Sequence, residues 1–301
     1  MGISQYLKEI GRGKQGARSL TREQAADLFG QILDGSVTDL EVGAFCIAMR
    51  VKGETPEEMC GFLDATHARL RRASSASGKP IVVLPSYNGA RRLPVLTPLL
   101  AGLVARRGLP VLIHGTATES SRVFVRDVLQ AMDLQASDAA PVIRDGQVAF
   151  VPTEVLSPGL KRLLDARRVI GLRNSAHSLV KLMNPCDGPA VIVSSYTHPE
   201  YAVSMGAVFE LTGATALLLR GTEGEVVADA RRLPQMDGFR DGRRVTLQEG
   251  RKGTLTDLPE LPREVDPETT AAYIRDVLAG RKSVPDSMAL QVEHILHLAS
   301  A

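Results

Sequence analysis

Residues 113–127 read IHGTATESSRVFVRD. An apolar run, Pro110–Ile113, ends at His114-Gly115. After a short polar loop, Ser120-Ser121 begins a helical pattern that contains Asp127. The same strand–loop–helix order repeats on both sides. Ile81–Leu84, Pro110–Ile113, Val142–Phe150, Ala190–Ser194, Thr215–Leu219 and Val245–Gln248 read as strands, with helical patterns between them. Asp145-Gly146 predicts a hairpin turn inside the third. Strands alternating with helices predict an α/β domain around a central, largely parallel sheet covered on both faces.

The chain before this region is of another kind. Thr21-x-x-Gln24, Thr38-x-x-Glu41 and Thr55-x-x-Glu58 are capping boxes and predict three helices, with a shorter one from Ser4 to about Ile10. Pro56 suits the first turn of the last helix, and Gly35 and Gly53 suit the ends of the other two. Residues 73–80, ASSASGKP, read as a linker. The expected organisation is a small all-helical domain over 1–72, followed by the α/β domain over 80–158 and 187–301. The helical segment 159–186 interrupts the strand pattern.

IHGTATESSRVFVRD resembles the phosphate-loop motif KHGNRxxSSxxGSAD of the anthranilate phosphoribosyltransferase family. His114, Gly115, Ser120, Ser121 and Asp127 match, whereas Ile113, Thr116 and Ala117 stand where the family has Lys, Asn and Arg. The family's GTGGD cradle follows the first core strand. There this chain has Pro85-Ser86-Tyr87-Asn88-Gly89, in which Pro85 has no amide to donate and Tyr87 puts a bulky residue beside the backbone. The family's magnesium-binding Asp-Glu pair would fall near Arg220-Gly221-Thr222-Glu223-Gly224-Glu225, where it is displaced. Retained scaffold and lost loops resemble the YbiB-type branch of this superfamily, as do RNSAHSLVKLMNP at 173–185 and HPEYAVSMGAVFELTGATALLLRG at 198–221. The resemblance spans the chain. It implies a nucleoside phosphorylase/phosphoribosyltransferase-like fold in which 159–186 completes the helical domain, with a ligand cleft between the domains. It further implies a homodimer formed through the helical domain and sequence-tolerant nucleic-acid binding.

Charge distribution points the same way. Net charge is only +2, but 85–181 carries thirteen basic and seven acidic residues. Lys161, Arg162, Arg167, Arg168, Arg173 and Lys181 face a single acid, Asp165, across 161–181. Arg173, His177 and Lys181 fall at i, i+4 and i+8, one stripe of a helix. A solvated face and a polyanion track both fit; the track is the preferred reading, extended by the doublets Arg91-Arg92 and Arg106-Arg107. Ser86, Asn88, Gly89, His114, Gly115, Ser120 and Ser121 are candidates for a residual phosphate or ligand cleft, although Glu119 would oppose an anion there. No metal or cofactor is expected under this reading. The alternative is a glycosyl- or phosphoribosyltransferase with altered phosphate loops, using magnesium with phosphoribosyl pyrophosphate and an unknown nitrogenous acceptor.

Bulk properties exclude little else. The hydrophobic fraction of 44% is ordinary for a globular protein. No apolar run of about 18 residues appears, so no membrane partner is expected. The polar start MGISQYLKEI is unlike a secretory leader, and three cysteines without CxxC spacing fit a reducing, cytoplasmic setting.

Overall fold

The computed structural model describes residues 2–13, 15–119, 121–253 and 258–300. Helices α1 (Ser4–Ile10), α2 (Arg22–Asp34), α3 (Asp39–Lys52) and α4 (Pro56–His67) open the chain. All three capping boxes form. Thr21, Thr38 and Thr55 each accept from the amide three residues on, and Gln24, Glu41 and Glu58 accept from the cap amides. Gly35 then ends α2 in the left-handed region, φ 70°. One phenylalanine from each of α2, α3 and α4 reaches the centre of the bundle. Phe29, Phe45 and Phe62 are fully buried, with ring centroids 4.6 to 6.1 Å apart. Glu58 is also fully buried; it accepts from the Leu20 and Thr55 amides at 2.9 Å and pairs with Lys52 at 2.6 Å.

The α/β region continues with β1 (Ala73–Ser75), β2 (Ile81–Ser86), α5 (Thr97–Arg106), β3 (Val111–Gly115), α6 (Val125–Ala131), β4 (Val142–Ile143) and β5 (Val148–Pro152). A helical run follows: α7 (Thr153–Leu156), α8 (Pro158–Ile170) and α9 (Ala176–Leu179). Then come β6 (Cys186–Asp187), β7 (Ala190–Tyr196), α10 (Pro199–Thr212), β8 (Ala216–Arg220), β9 (Met236–Arg240), β10 (Arg243–Gln248), α11 (Pro267–Leu278) and α12 (Asp286–Ser300). The main sheet has the order β10-β9-β8-β7-β2-β3-β5. Five strands are parallel, and β9 and β10 are antiparallel at one edge.

Both faces of the sheet are buried, and the alternation along each strand divides them. Ile81, Val83, Leu112 and Leu218 face a core continuous with the helical bundle. Val82, Leu84, Ile113 and Leu217 face α5, α6, α11 and α12.

The structure corrects several local expectations. Ala73–Ser75 is not free linker: β1 pairs in parallel with β4 and β6 in a small second sheet. The run Val142–Phe150 is not a hairpin, because β4 joins that small sheet while β5 joins the main one. Strand β9 went unread, since MDGFR lacks a continuous apolar run. Ser121 does not open a helix. The chain makes a bridge between Val123 and Ala90 first, and α6 starts at Val125.

Two features of this fold build the cleft. Because β2, β3, β7 and β8 are parallel, the loops that follow them gather at one edge of the sheet. The helical run returns to the bundle at that edge. Gly159 lets α8 press onto the end of α2, since a Cβ there would lie 2.1 Å from the Leu33 carbonyl oxygen. Arg162 Nη2 donates to the same carbonyl at 2.9 Å. Gly159→Ala should therefore overpack the α2–α8 contact and lower unfolding free energy by about 1–3 kcal/mol. Gly43→Ala in mid-α3, where a Cβ meets nothing within 4 Å, should raise it by about 0.5–1 kcal/mol. Urea unfolding of both variants gives the two signs.

Candidate functional site

The cleft lies between the bundle and the C-terminal edge of the sheet. Its cavity is about 550 Å³ and is bounded by Arg50, Asn88, Arg173, His177, Lys181 and Tyr201, among others. The loop after β2 forms one wall. Here the residues expected to meet a phosphate have another partner. Glu225 is 3% exposed, and its Oε1 accepts the backbone amides of Asn88 at 2.8 Å and Gly89 at 2.9 Å. Its Oε2 accepts from the Ser86 hydroxyl and from Thr97 Oγ1, the latter at 3.1 Å. Glu223 Oε2 accepts the next amides, those of Arg91 and Arg92 at 3.0 Å and Leu93 at 3.1 Å. Those three amides hold the Glu223 carboxyl below its usual range against the opposing effect of burial.

Tyr87 does not obstruct this wall. Its side chain turns into the core, where the hydroxyl lies 2.8 Å from His114 Nδ1 and 2.9 Å from Thr153 Oγ1. His114, at the end of β3, is fully buried beneath the loop, and burial pushes its pKa down to about 3. Gly115 permits close approach of β3 to β2, as a Cβ would lie 1.9 Å from the Ser86 carbonyl oxygen. Ser121 is exposed on the turn before α6, and Ser120 lies outside the described residues.

The loop after β3 holds a third internal carboxylate, Glu119. Arg167 Nη2 meets it at 2.7 Å, Arg122 at 3.3 Å and Arg173 at 3.5 Å. Its carboxyl is held below the ordinary range by these guanidinium groups against burial. Arg122 also donates to the Asn88 carbonyl at 3.1 Å, which joins the two loops.

The basic stretch 161–181 does not form one stripe. Helix α8 ends at Ile170 because Gly171 adopts a left-handed C-cap, φ 78°. Arg173 lies beyond that cap, and only Ala176–Leu179 is helical again. Lys161 and Arg168 pair with Asp165 within α8, Arg162 caps α2, and Arg167 and Arg173 reach Glu119. Lys181 is buried at the floor of the cleft. Its ammonium donates to the Gly224 carbonyl at 2.8 Å and to Ser195 at 3.4 Å. Burial pulls its pKa down to about 8, with the Glu225 charge opposing. His177 is held near 4, by burial and then by the Arg173 and Arg167 charges. Arg106 and Arg107 belong elsewhere: α5 runs back to the opposite edge of the sheet, where they contact the Leu278 carbonyl and Glu293. Arg91 and Arg92 stay on the cleft side and are exposed.

Sequence reasoning singled out Glu223 and Glu225 only as a displaced metal pair. What it missed is that they bond the loop 86–93 across 130 to 139 residues of chain. The clue available was the frame Gly221-x-x-Gly224, which lets that segment fold tightly. Among the described residues, no group of three or more His, Cys, Asp or Glu could hold a metal ion. Since both glutamates are engaged by amides and hydroxyls, the residues present do not fit a bound magnesium. Among the described residues, no helix is long and apolar enough to cross a membrane.

Comparison with known proteins places this geometry. Residues 4–69 match the helical bundle domain of the glycosyl transferase family. The chain is 41% identical over 299 residues to the uncharacterized protein YbiB of Escherichia coli K12, covering 97% of this chain and 92% of that one. It is 29% identical to the anthranilate phosphoribosyltransferase of Beijerinckia indica, covering 90% and 81%. The crystal structure of anthranilate phosphoribosyltransferase from Thermus thermophilus superposes with a TM-score of 0.70 at 22% identity, over 99% of this chain and 87% of that one.

One buried histidine, His114, and two partly buried ones, His67 and His177, make stability depend on pH. His67 and His177 have pKa values lowered to about 4, and His114 to about 3, chiefly by burial. Each folded pKa is below the unfolded value of about 6.5. The unfolded chain therefore binds more protons in between, and stability present above pH about 6.5 is lost as pH falls toward 4. Urea midpoints should decline across that window, and His177→Asn should make the decline shallower. An identical slope in the variant would show that His177 is not held neutral.

Proposed function

Since the chain belongs to the YbiB-type branch of the anthranilate phosphoribosyltransferase-like superfamily, glycosyltransferase family 3, we propose that its cleft serves glycosyl or phosphoribosyl transfer with altered phosphate contacts. The ligand class is a phosphorylated ribose or related glycosyl phosphate, and the acceptor is nitrogenous. One observation carries this reading: the cleft stays open, at about 550 Å³, where Arg50 and Arg173 stand at its wall and Lys181 at its floor. The transferase relatives support it over polyanion binding as the leading function. A single phosphate can take hydrogen bonds from Arg173 and be attracted by Lys181 without needing the loop after β2.

The altered loop also limits the reaction. A diphosphate donor would need amides that Glu223 and Glu225 already engage. Incubation with anthranilate, phosphoribosyl pyrophosphate and magnesium should give no phosphoribosyl anthranilate; efficient turnover would contradict the reading. Ribose 5-phosphate should raise the melting temperature of the wild type, and Arg173→Ala should abolish most of that rise. No rise in the wild type would remove the proposed ligand class.

A second reading keeps sequence-tolerant nucleic-acid binding. Its support is narrower than the stripe first expected. Arg91, Arg92 and Arg168 are exposed around the loops after β2 and β3, and Arg168 reaches the Ala117 carbonyl at 3.5 Å. If these groups contact phosphates, affinity for fluorescent oligonucleotides should fall with salt, and their joint replacement by Ala should flatten that dependence. A salt slope unchanged by the triple replacement would rule out this surface. A homodimer through the helical domain accords with either reading.

A further inference from the structure

Loop 86–93 presents two neighbouring sets of oxyanion donors, separated by Ala90, whose amide bonds the Val123 carbonyl. Five backbone amides, those of Asn88, Gly89, Arg91, Arg92 and Leu93, aim at carboxylate oxygens together with the hydroxyls of Ser86 and Thr97. Runs of amides turned to one side are the usual backbone device for holding phosphate. We propose that Glu223 and Glu225 are an internal plug: they occupy a di- or monophosphate site in this loop and keep it closed to external anions. The inference goes beyond the proposed transfer function and does not depend on which ligand the open part of the cleft takes.

The segment that carries the plug is shaped to reach the cradle. Glu223 has φ 52°, a left-handed conformation that an ordinary side chain adopts at a cost of about 1 kcal/mol or more. Gly221 and Gly224 make the approach sterically possible. A Cβ on Gly221 would lie 1.9 Å from the Glu225 carbonyl oxygen, and one on Gly224 2.2 Å from Asn88 Nδ2. The segment is pinned from behind, because the Gly224 carbonyl accepts from both Lys181 and Ser195 at 2.8 Å. Glu225 is nearly inaccessible, and a buried carboxylate is tolerated only when its lone pairs are met. Here four donors meet them, and the Lys181 charge lies behind the same segment. An entering phosphate would have to displace these bonds and would meet the repulsion of both carboxylates. Removing the carboxylates leaves the amides without partners, and an external oxyanion can then take their place.

Isothermal titration with magnesium-free sodium pyrophosphate tests this, using the full chain and its Glu223→Ala/Glu225→Ala variant at matched ionic strength. The wild type should show only the weak binding that Arg173 gives in the open cleft, and Arg173→Ala should remove it together with its small change in melting temperature. The variant should melt lower, bind pyrophosphate and recover melting temperature with it. A merely structural pair of glutamates predicts the lower melting temperature without the recovery. Pyrophosphate binding by the wild type as tight as by the variant would overturn the plug. So would a folded variant indifferent to pyrophosphate. If the variant does not fold in chloride, it should refold from urea in pyrophosphate; equal failure in both salts overturns the proposal. Failure of ribose 5-phosphate to bind the wild type would bear on the transfer reading alone.

Discussion

A buried carboxylate hydrogen-bonded to backbone amides organises this protein's cleft. Glu225 reaches back across more than a hundred residues to the loop after β2, and its neighbour Glu223 holds the following amides. Without the Glu225 oxygens, the loop would leave the buried donors of Ser86, Asn88 and Gly89 unpaired, each at a cost of about 1–3 kcal/mol. The same segment is tied to the helical region by Lys181, which is why the sheet edge, the helical run and the cleft floor share one geometry. Glu119 repeats the principle on the next loop, where one carboxylate gathers Arg122, Arg167 and Arg173.

This arrangement changes the meaning of the basic stretch. Counted along the sequence, six cations face one acid. In space, most of them meet a carboxylate or a helix carbonyl, and Lys181 is buried. Arg91 and Arg92, exposed after β2, add positive charge on the cleft side outside any helix. In the reading proposed above, a cleft whose loop donors are met by its own carboxylates takes a small ligand held by a few cations. On the same reading a magnesium-bound diphosphate would find those donors occupied.

Much of the fold was legible because its causes are local. Threonines followed three residues later by Gln or Glu announced α2, α3 and α4, and apolar runs alternating with helical patterns announced the parallel strands. Where two outcomes compete locally, the sequence misled. Gly171 stops a pattern whose charges would otherwise line one helical face, and Val142 pairs with Ser74 instead of returning in a hairpin. The cleft was legible only in outline. Loss of the glycine cradle and of the motif cations was visible at 85–89 and 113–117. Its compensation was not, because Ser86 and Glu225 are 139 residues apart and nothing in either neighbourhood names the other. Tyr87 was misread for a related reason: the core partners that receive its hydroxyl come from β3 and from Thr153.

Amide hydrogen exchange at Arg91 and Arg92 tests the central claim most directly. Both residues are exposed, and their amides find their hydrogen-bond acceptor in Glu223. In the ligand-free wild type these amides should exchange far more slowly than those of an open loop, and Glu223→Ala should release them. Exchange at open-loop rates in the wild type would contradict the account, because the cradle would then not be held by the chain's own carboxylates.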